Sequence, residues 1–242
     1  MAGHSKWANI KRQKSSKDAR KSRLFAKLIK EITMAVRQGG AASEGNPRLR
    51  LALQNAKNAN LPKDNMERAI QRGNSKDAIT CTEVTYEGYA VHGVAIMVEC
   101  MTDNLNRTVA ALRTIFAKHG GSLGKSGSIA FLFDRKGAFT IRKTAVTEEA
   151  LTVEMIEAGA EAIHSASDHF CITCSPEAFG KVQQRLERLQ IVIEDAKLQH
   201  LAKPLTSVIL HQQAEEKVIE LIDTLEIYED VQRVSHNMVT RM

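Results

Sequence analysis

The chain has 242 residues, 43% of them hydrophobic and 26% charged, with a formal net charge of +6. That balance belongs to a water-soluble folded protein with enough apolar side chains for two or three cores, and it excludes a chain disordered throughout. Its longest apolar runs, such as residues 94–98, fall far below the roughly 18 residues that cross a bilayer, and its four cysteines contain only one close pair, which fits a reducing compartment better than a disulfide framework.

Charge is distributed unevenly. Residues 1–76 carry 18 basic and 5 acidic side chains, a net of +13, and the remainder carries 16 basic and 23 acidic ones, a net of −7. Within residues 1–30, seven Lys and three Arg face a single acid, Asp18. Solvated faces usually mix both signs, so this segregation reads as a surface for a polyanion. Residues 1–13 show no apolar period, only Trp7 and Ile10, and are expected to form an extended or mobile basic arm. The start lacks the apolar core of a secretory signal, so the expected location is the cytoplasm, with the mitochondrial matrix as the alternative that a basic, acid-poor leader allows.

A first helix is expected from Ser15 or Ser16, with Asp18 in its first turn and Leu24, Phe25, Leu28, Ile29, Ile32, Ala35 and Val36 at helical spacing, ending at Gly39-Gly40. Asn46-Pro47 opens a second helix, since a capping side chain precedes a residue whose fixed φ suits the first helical position. A third, short helix is expected to use Asp64 as its cap and to end at Gly73. Polar residues 74–81 read as a linker.

Periodicity then changes to alternation. Val84 and Tyr86, and Val94, Ile96 and Val98, mark two paired strands, followed by a helix at 106–119 and a third strand at 128–133. From Lys136 the expected order is strand, helix, hairpin, helix, strand. That β-α-β-β-α-β order yields a four-stranded antiparallel sheet with both helices on one face, the ferredoxin-like plan. A helix at 214–225 and a strand at 231–236 remain, and they complete the unfinished middle sheet. The fold class is therefore α+β in three domains: a basic arm plus three-helix domain at 1–79, a middle α/β domain at 80–134 and 205–242, and a ferredoxin-like α/β domain at 135–204 inserted into the middle one. A sequential third domain is the alternative.

Several runs resemble one family. AGHSKWANIKRQK near the start, KLIKEITMAVRQGG, LPKDNMERAIQRG, YEGYA, GVAIMVECMTDNLNRT and FLFDRKG are similar to the YebC/PmpR family, across essentially the whole chain. Val91-His92 departs from the turn pair more usual there. The resemblance implies a three-domain protein described as a DNA-binding transcriptional regulator and also as a ribosome-linked translation factor, with mitochondrial relatives that include a translational activator of cytochrome c oxidase.

Fragments with a catalytic look fail on context. Gly120-Gly121-Ser122-Leu123-Gly124 fits G-x-S-x-G, but the expected order is helix, loop, strand, where a nucleophile elbow needs strand, turn, helix. Gly124-Lys125-Ser126 ends like a phosphate-binding loop, yet His119 stands where the first glycine belongs, so a flexible connector is the expected form. Cys171 and Cys174, three apart on a strand, point to opposite faces and read as buried small residues. Ser167-Asp168-His169 reads as a hairpin turn, and Glu99 and Asp103 as surface or capping groups. No catalytic residue, metal ligand or cofactor is expected.

The expected chemistry is electrostatic capture. Lys6, Lys11, Arg12, Lys14, Lys17, Arg20, Lys21 and Arg23 would neutralise phosphates, and Trp7 would stack on a base or, equally, anchor the arm to the helical domain. Arg48, Arg50, Lys57, Lys63, Arg68 and Arg72 extend the patch. DNA is the expected partner and ribosomal RNA the alternative, with the acidic later domains available for protein contacts or self-association.

Overall fold

A computed structural model describes the backbone of residues 3–75, 81–143 and 147–239, with side chains described from residue 19 onward within those ranges. The chain divides into two compact units, residues 1–80 and 81–242. Most of the expected linker, residues 76–80, lies outside the described residues.

The first unit is built from α1 (Gly3–Gly39), α2 (Pro47–Asn58) and α3 (Lys63–Asn74). The extended arm is overturned, because the backbone is helical from Gly3 and passes through Ser15 and Ser16 without a break. Lys, Arg, Ala and Gln within this stretch are good helix formers, and extension from an already packed helix costs no new nucleation. Ile32, Ala35 and Val36 of α1 meet Leu49, Ala52 and Ala56 of α2 and Met66 and Ala69 of α3 in one core. Leu24, expected to face inward, is 47% exposed, whereas the next residue, Phe25, packs against the core. Chain reversal after α1 uses Gly40 at φ +84°, and buried Asn46 fastens it. The Asn46 Oδ1 accepts from the Leu49 amide at 3.0 Å, while Nδ2 donates to the Ala35 and Gly40 carbonyls at 2.7 and 2.8 Å. One side chain thereby caps α2 and holds the end of α1.

Asp64 does not cap α3. The helix starts one residue earlier, at Lys63, Pro62 takes the cap position without a side-chain bond, and Asp64 sits in the first turn, where a carboxylate favours the helix dipole. Gly73 lies inside α3: a Cβ there would come within 2.6 Å of the Thr33 carbonyl oxygen and 2.8 Å of Val36 Cβ, so its missing side chain sets how closely α3 approaches α1.

The second unit contains two four-stranded sheets. β1 (Thr82–Tyr89) and β2 (Ala95–Thr102) form an antiparallel hairpin. α4 (Leu105–Lys118) and the short β3 (Ser122–Leu123) follow. After β4 (Phe133–Arg142), α5 (Glu148–Ala158), β5 (Ala160–Ser165), β6 (His169–Cys174), α6 (Phe179–Arg188) and β7 (Ile193–Ala202), the chain returns through β8 (Val208–Ile209), α7 (Gln212–Ile227), β9 (Val231–His236) and β10 (Met238–Val239). The sheets run β3-β1-β2-β9 and β5-β6-β4-β7, and β8 pairs with β10. In the second of these sheets every pairing is antiparallel and the β4-to-β7 order is ferredoxin-like. It lies between two parts of the first sheet in sequence, since β9 pairs with β2. The fold is therefore α+β, a helical domain followed by α/β domains.

β2 is buried on both faces, which is why residues 94–98 read as a continuous apolar run. Ile96, Val98 and Cys100 pack with Leu112 and Phe116 of α4 and Val218, Leu221 and Leu225 of α7. Ala95 and Met97 instead join Ile129, Phe133 and Ala202 in a second core reaching toward β4 and β7. The strand expected at 128–133 is a 3-10 turn, Ala130–Leu132, and β4 begins only at Phe133. The cause is Glu87, whose buried carboxylate accepts from the amides of Gly127, Ile129 and Ala130 at 2.7, 2.7 and 3.1 Å and bends the segment away from extended geometry.

Candidate nucleic-acid interface

The basic side chains expected to meet phosphate are distributed over all three helices of the first unit. Arg20 and Lys21 on α1, Arg50 and Lys57 on α2, and Lys63, Arg68 and Arg72 on α3 are exposed. Seven-residue spacing puts Arg50 and Lys57 on one side of α2, and four-residue spacing does the same for Arg68 and Arg72 on α3. Arg23 is half-buried. Lys63 lies 3.6 Å from Glu67, four residues on, a pairing weak enough at this exposure to leave its charge available. Side chains of Lys6, Trp7, Lys11, Arg12, Lys14 and Lys17 lie outside the described residues, although their backbone belongs to α1.

Arg48 is placed differently. Its Nε donates to Glu31 Oε1 at 2.8 Å and its NH1 to Gln38 Oε1 at 2.5 Å, so it clamps α2 to α1. The residue type matched a phosphate patch, but the partners come from 10 and 17 positions earlier.

One feature of this surface is an open groove of about 500 Å³, lined by Lys21, Ser22, Phe25, Ala26 and Ile29 of α1 and Asn65 of α3. The Lys21 Nζ sits 5.3 Å from the centroid of the half-buried Phe25 ring. Sequence reading took Phe25 only as a core residue. The available signal was a lysine four positions before an aromatic on one helix face.

The fragments with a catalytic look are occupied structurally. In the loop after β3, the Gly124 amide donates to the Glu87 backbone carbonyl at 2.7 Å, and the Glu87 carboxylate holds the three amides just beyond the Gly124-Lys125-Ser126 run, so these four donors are used internally. A 3-10 turn follows instead of the helix a phosphate-binding loop needs. The loop expected as a flexible connector is tied to Glu87 at Gly124, Gly127, Ile129 and Ala130. Only half of the cysteine expectation holds: Cys174 is buried and burial pushes its thiol up to about 11, whereas Cys171 is exposed on the opposite face of β6. Ser167 donates to Asp168 at 3.1 Å, and His169 bonds Asp168 and Glu194 at 2.7 and 2.6 Å, which leaves serine and histidine unconnected. Those bonds raise the His169 pKa, the Asp168 bond first, against an opposing effect of burial.

Glu99 is not a surface group. It accepts from His200 of β7 at 2.6 Å and from Arg233 of β9 at 3.3 Å. Burial pushes its carboxyl up, but the His200 bond and the charges of Arg233 and Arg135 outweigh that and hold it below the ordinary value. Asp103 pairs with Arg107 at 2.8 Å, and Arg107 also reaches the buried Asp230, which accepts from Thr108 at 2.8 Å and Thr102 at 3.2 Å. This cluster fastens the start of α4 to β2 and β9. Among the described residues no group of three or more His, Cys, Asp or Glu side chains is arranged to hold a metal ion, and no helix is long and apolar enough to cross a membrane.

Comparison with known proteins accounts for both units. The TACO1/YebC protein N-terminal domain matches residues 5–76, and the TACO1/YebC second and third domain matches residues 81–238. A "Probable transcriptional regulatory protein" of Amoebophilus asiaticus is 55% identical over 98% of both chains. The "Probable transcriptional regulatory protein YrbC" of Bacillus subtilis is 45% identical, covering 98% of this chain and 99% of its own. A crystal structure of a conserved hypothetical protein from Aquifex aeolicus superposes with a TM-score of 0.85 at 43% identity, over 93% of each chain. Matches of this length and identity, across both units, make this chain a member of the TACO1/YebC family.

Proposed function

We propose that the protein is a nucleic-acid-binding regulator of gene expression that works by holding phosphates and makes or breaks no covalent bond. The observation that carries this reading is the concentration of charge: residues 1–76 hold a net of +13, with Arg20, Lys21, Arg50, Lys57, Lys63, Arg68 and Arg72 exposed on the three helices. Lys6, Lys11, Arg12, Lys14, Lys17 and Arg23 extend the cationic stretch along α1. The names of the relatives, transcriptional regulatory proteins, favour DNA as the polymer, and their bacterial sources favour the cytoplasm of a bacterium as the place. The acidic second unit would supply protein contacts.

An RNA-directed, translation-linked role is the second reading, and the aromatic groove beside Lys21 favours it, because duplex DNA presents no unpaired base to such a surface. A salt series on duplex DNA and on ribosomes tests both. Replacing Lys11, Arg12 and Lys14 together by Ala should weaken binding and flatten the dependence of log affinity on log salt by about 0.9 per lost phosphate contact on duplex DNA. Unchanged affinity and slope in that variant would sink the phosphate-capture reading. Ribosome association that outlasts DNA binding as salt rises selects the second reading.

A further inference from the structure

Packing of the helical unit leaves the groove between α1 and the start of α3 open. Its lining is of two kinds: Phe25, Ala26 and Ile29 contribute apolar surface, and Lys21, Ser22 and Asn65 contribute a cation, a hydroxyl and an amide. The Lys21 ammonium rests 5.3 Å from the Phe25 ring centroid, where a second flat group would lie. Phe25 is half-buried against the core of the unit, a cation over its outer face is held weakly there, and the lysine stem is flexible. A nucleobase can therefore replace the ammonium on the ring while the ammonium moves to the adjoining phosphate, and both partners gain. The Asn65 amide offers a donor and an acceptor to a base edge, and the Ser22 hydroxyl suits a 2′-hydroxyl. The net charge of residues 1–76, +13, with Arg20 and Lys21 exposed on α1, complements the backbone that would carry such a base.

A paired base cannot enter, since its faces are covered by its neighbours in the stack. RNA loops, bulges and ends present unstacked bases routinely, and aromatic side chains are their usual platforms. We infer that this groove seats an unpaired base of single-stranded RNA, stacked on Phe25 with Lys21 on the flanking phosphate. The inference rests on the nucleic-acid reading of the same unit and deepens it, because phosphate capture alone does not distinguish single strands from duplexes.

The test uses the full chain and three probes at one salt concentration: a short single-stranded RNA, single-stranded DNA of the same sequence, and the corresponding DNA duplex, read by fluorescence anisotropy. Phe25→Leu, which keeps apolar volume and removes the π face, should weaken RNA binding about tenfold and duplex binding by less than about twofold, and Phe25→Trp should restore the RNA affinity. Circular dichroism checks folding. Should Phe25→Leu fail to fold, Ala26→Glu serves, since Ala26 is exposed and an acid there would repel the strand. Its loss must likewise be larger for RNA than for duplex. A folded Phe25→Leu with unchanged RNA affinity overturns the inference, as does an equal loss on RNA and duplex, or single-stranded DNA bound as tightly as RNA. If the unaltered protein binds none of the three probes, the nucleic-acid reading itself falls. If it binds them and the groove variants behave like the parent, only the groove is lost.

Discussion

His200 Nδ1 lies 2.6 Å from Glu99 Oε1, and that bond joins β7 of the ferredoxin-like sheet to β2 at the centre of the other. Arg233 reinforces it from β9, donating to Glu99 and to the Leu198 carbonyl. The two sheets of the second unit are thus held by a polar clamp beside the apolar core of Ala95, Met97, Ile129 and Phe133.

Acid should open this clamp. The folded Glu99 carboxyl sits below its ordinary value of 4.5, so its contribution to stability is full above that value and is lost as pH falls through the folded one. Glu99→Gln should cost about 1–3 kcal/mol at neutral pH, because it leaves Arg233 beside a neutral partner in a half-buried site. It should also flatten the acid limb of the stability profile. Denaturant melts at neutral pH and at several values below 5 check both; an unchanged acid limb in Glu99→Gln would show that other carboxylates govern it.

In the first unit, Asn46→Ala should destabilise by about 2–3 kcal/mol, since it removes a helix cap and strips two backbone carbonyls of their donor. Asn46→Asp should recover only the cap, because its oxygens can accept from Leu49 but cannot donate to Ala35 or Gly40. Thermal melts that rank the two variants equally would contradict this division of labour.

Glu87→Ala should leave the amides of Gly127, Ile129 and Ala130 without their acceptor, and hydrogen exchange should speed up at those three positions before it changes elsewhere. Since the loop is assigned no part in phosphate binding, nucleic-acid affinity should stay within about twofold of the parent on the scale where a lost phosphate contact is readily seen. A large loss of affinity would return the Gly124-Lys125-Ser126 loop to the binding surface.

The two cysteines of β6 should separate by reactivity. Under native conditions a thiol reagent should modify exposed Cys171, while Cys174, buried and with its thiol pushed up to about 11, should react only on unfolding. Mass spectrometry of the labelled peptide distinguishes them.

What could be read in advance was local. The Asn46-Pro47 pair announced the start of α2, and the order of elements after Lys136 foretold the ferredoxin-like sheet, because capping and periodicity act over a few residues. Val231–His236 was legible as a strand and is β9. The features that escaped depend on distant partners: Glu99 and His200 are 101 residues apart, and Glu87 meets Ile129 across 42. The run at 128–133 looked like a strand because a 3-10 turn held from outside has no apolar period of its own, and Phe131 is 65% exposed within it. For the basic surface, residue type was readable but employment was not: Arg48 and Arg50 are near neighbours, yet one is a clamp and the other is exposed.

β2 also sets a timetable for the chain as it is made. One edge pairs at once with β1, but the other receives β9, which begins about 130 residues later. At about 5–20 residues per second, that edge waits on the order of ten seconds, while the ferredoxin-like sheet in between has all four of its strands available to close first. A nascent chain is therefore most open to mispairing at residues 95–102 during this interval, and any factor that shields the growing protein has its clearest task there.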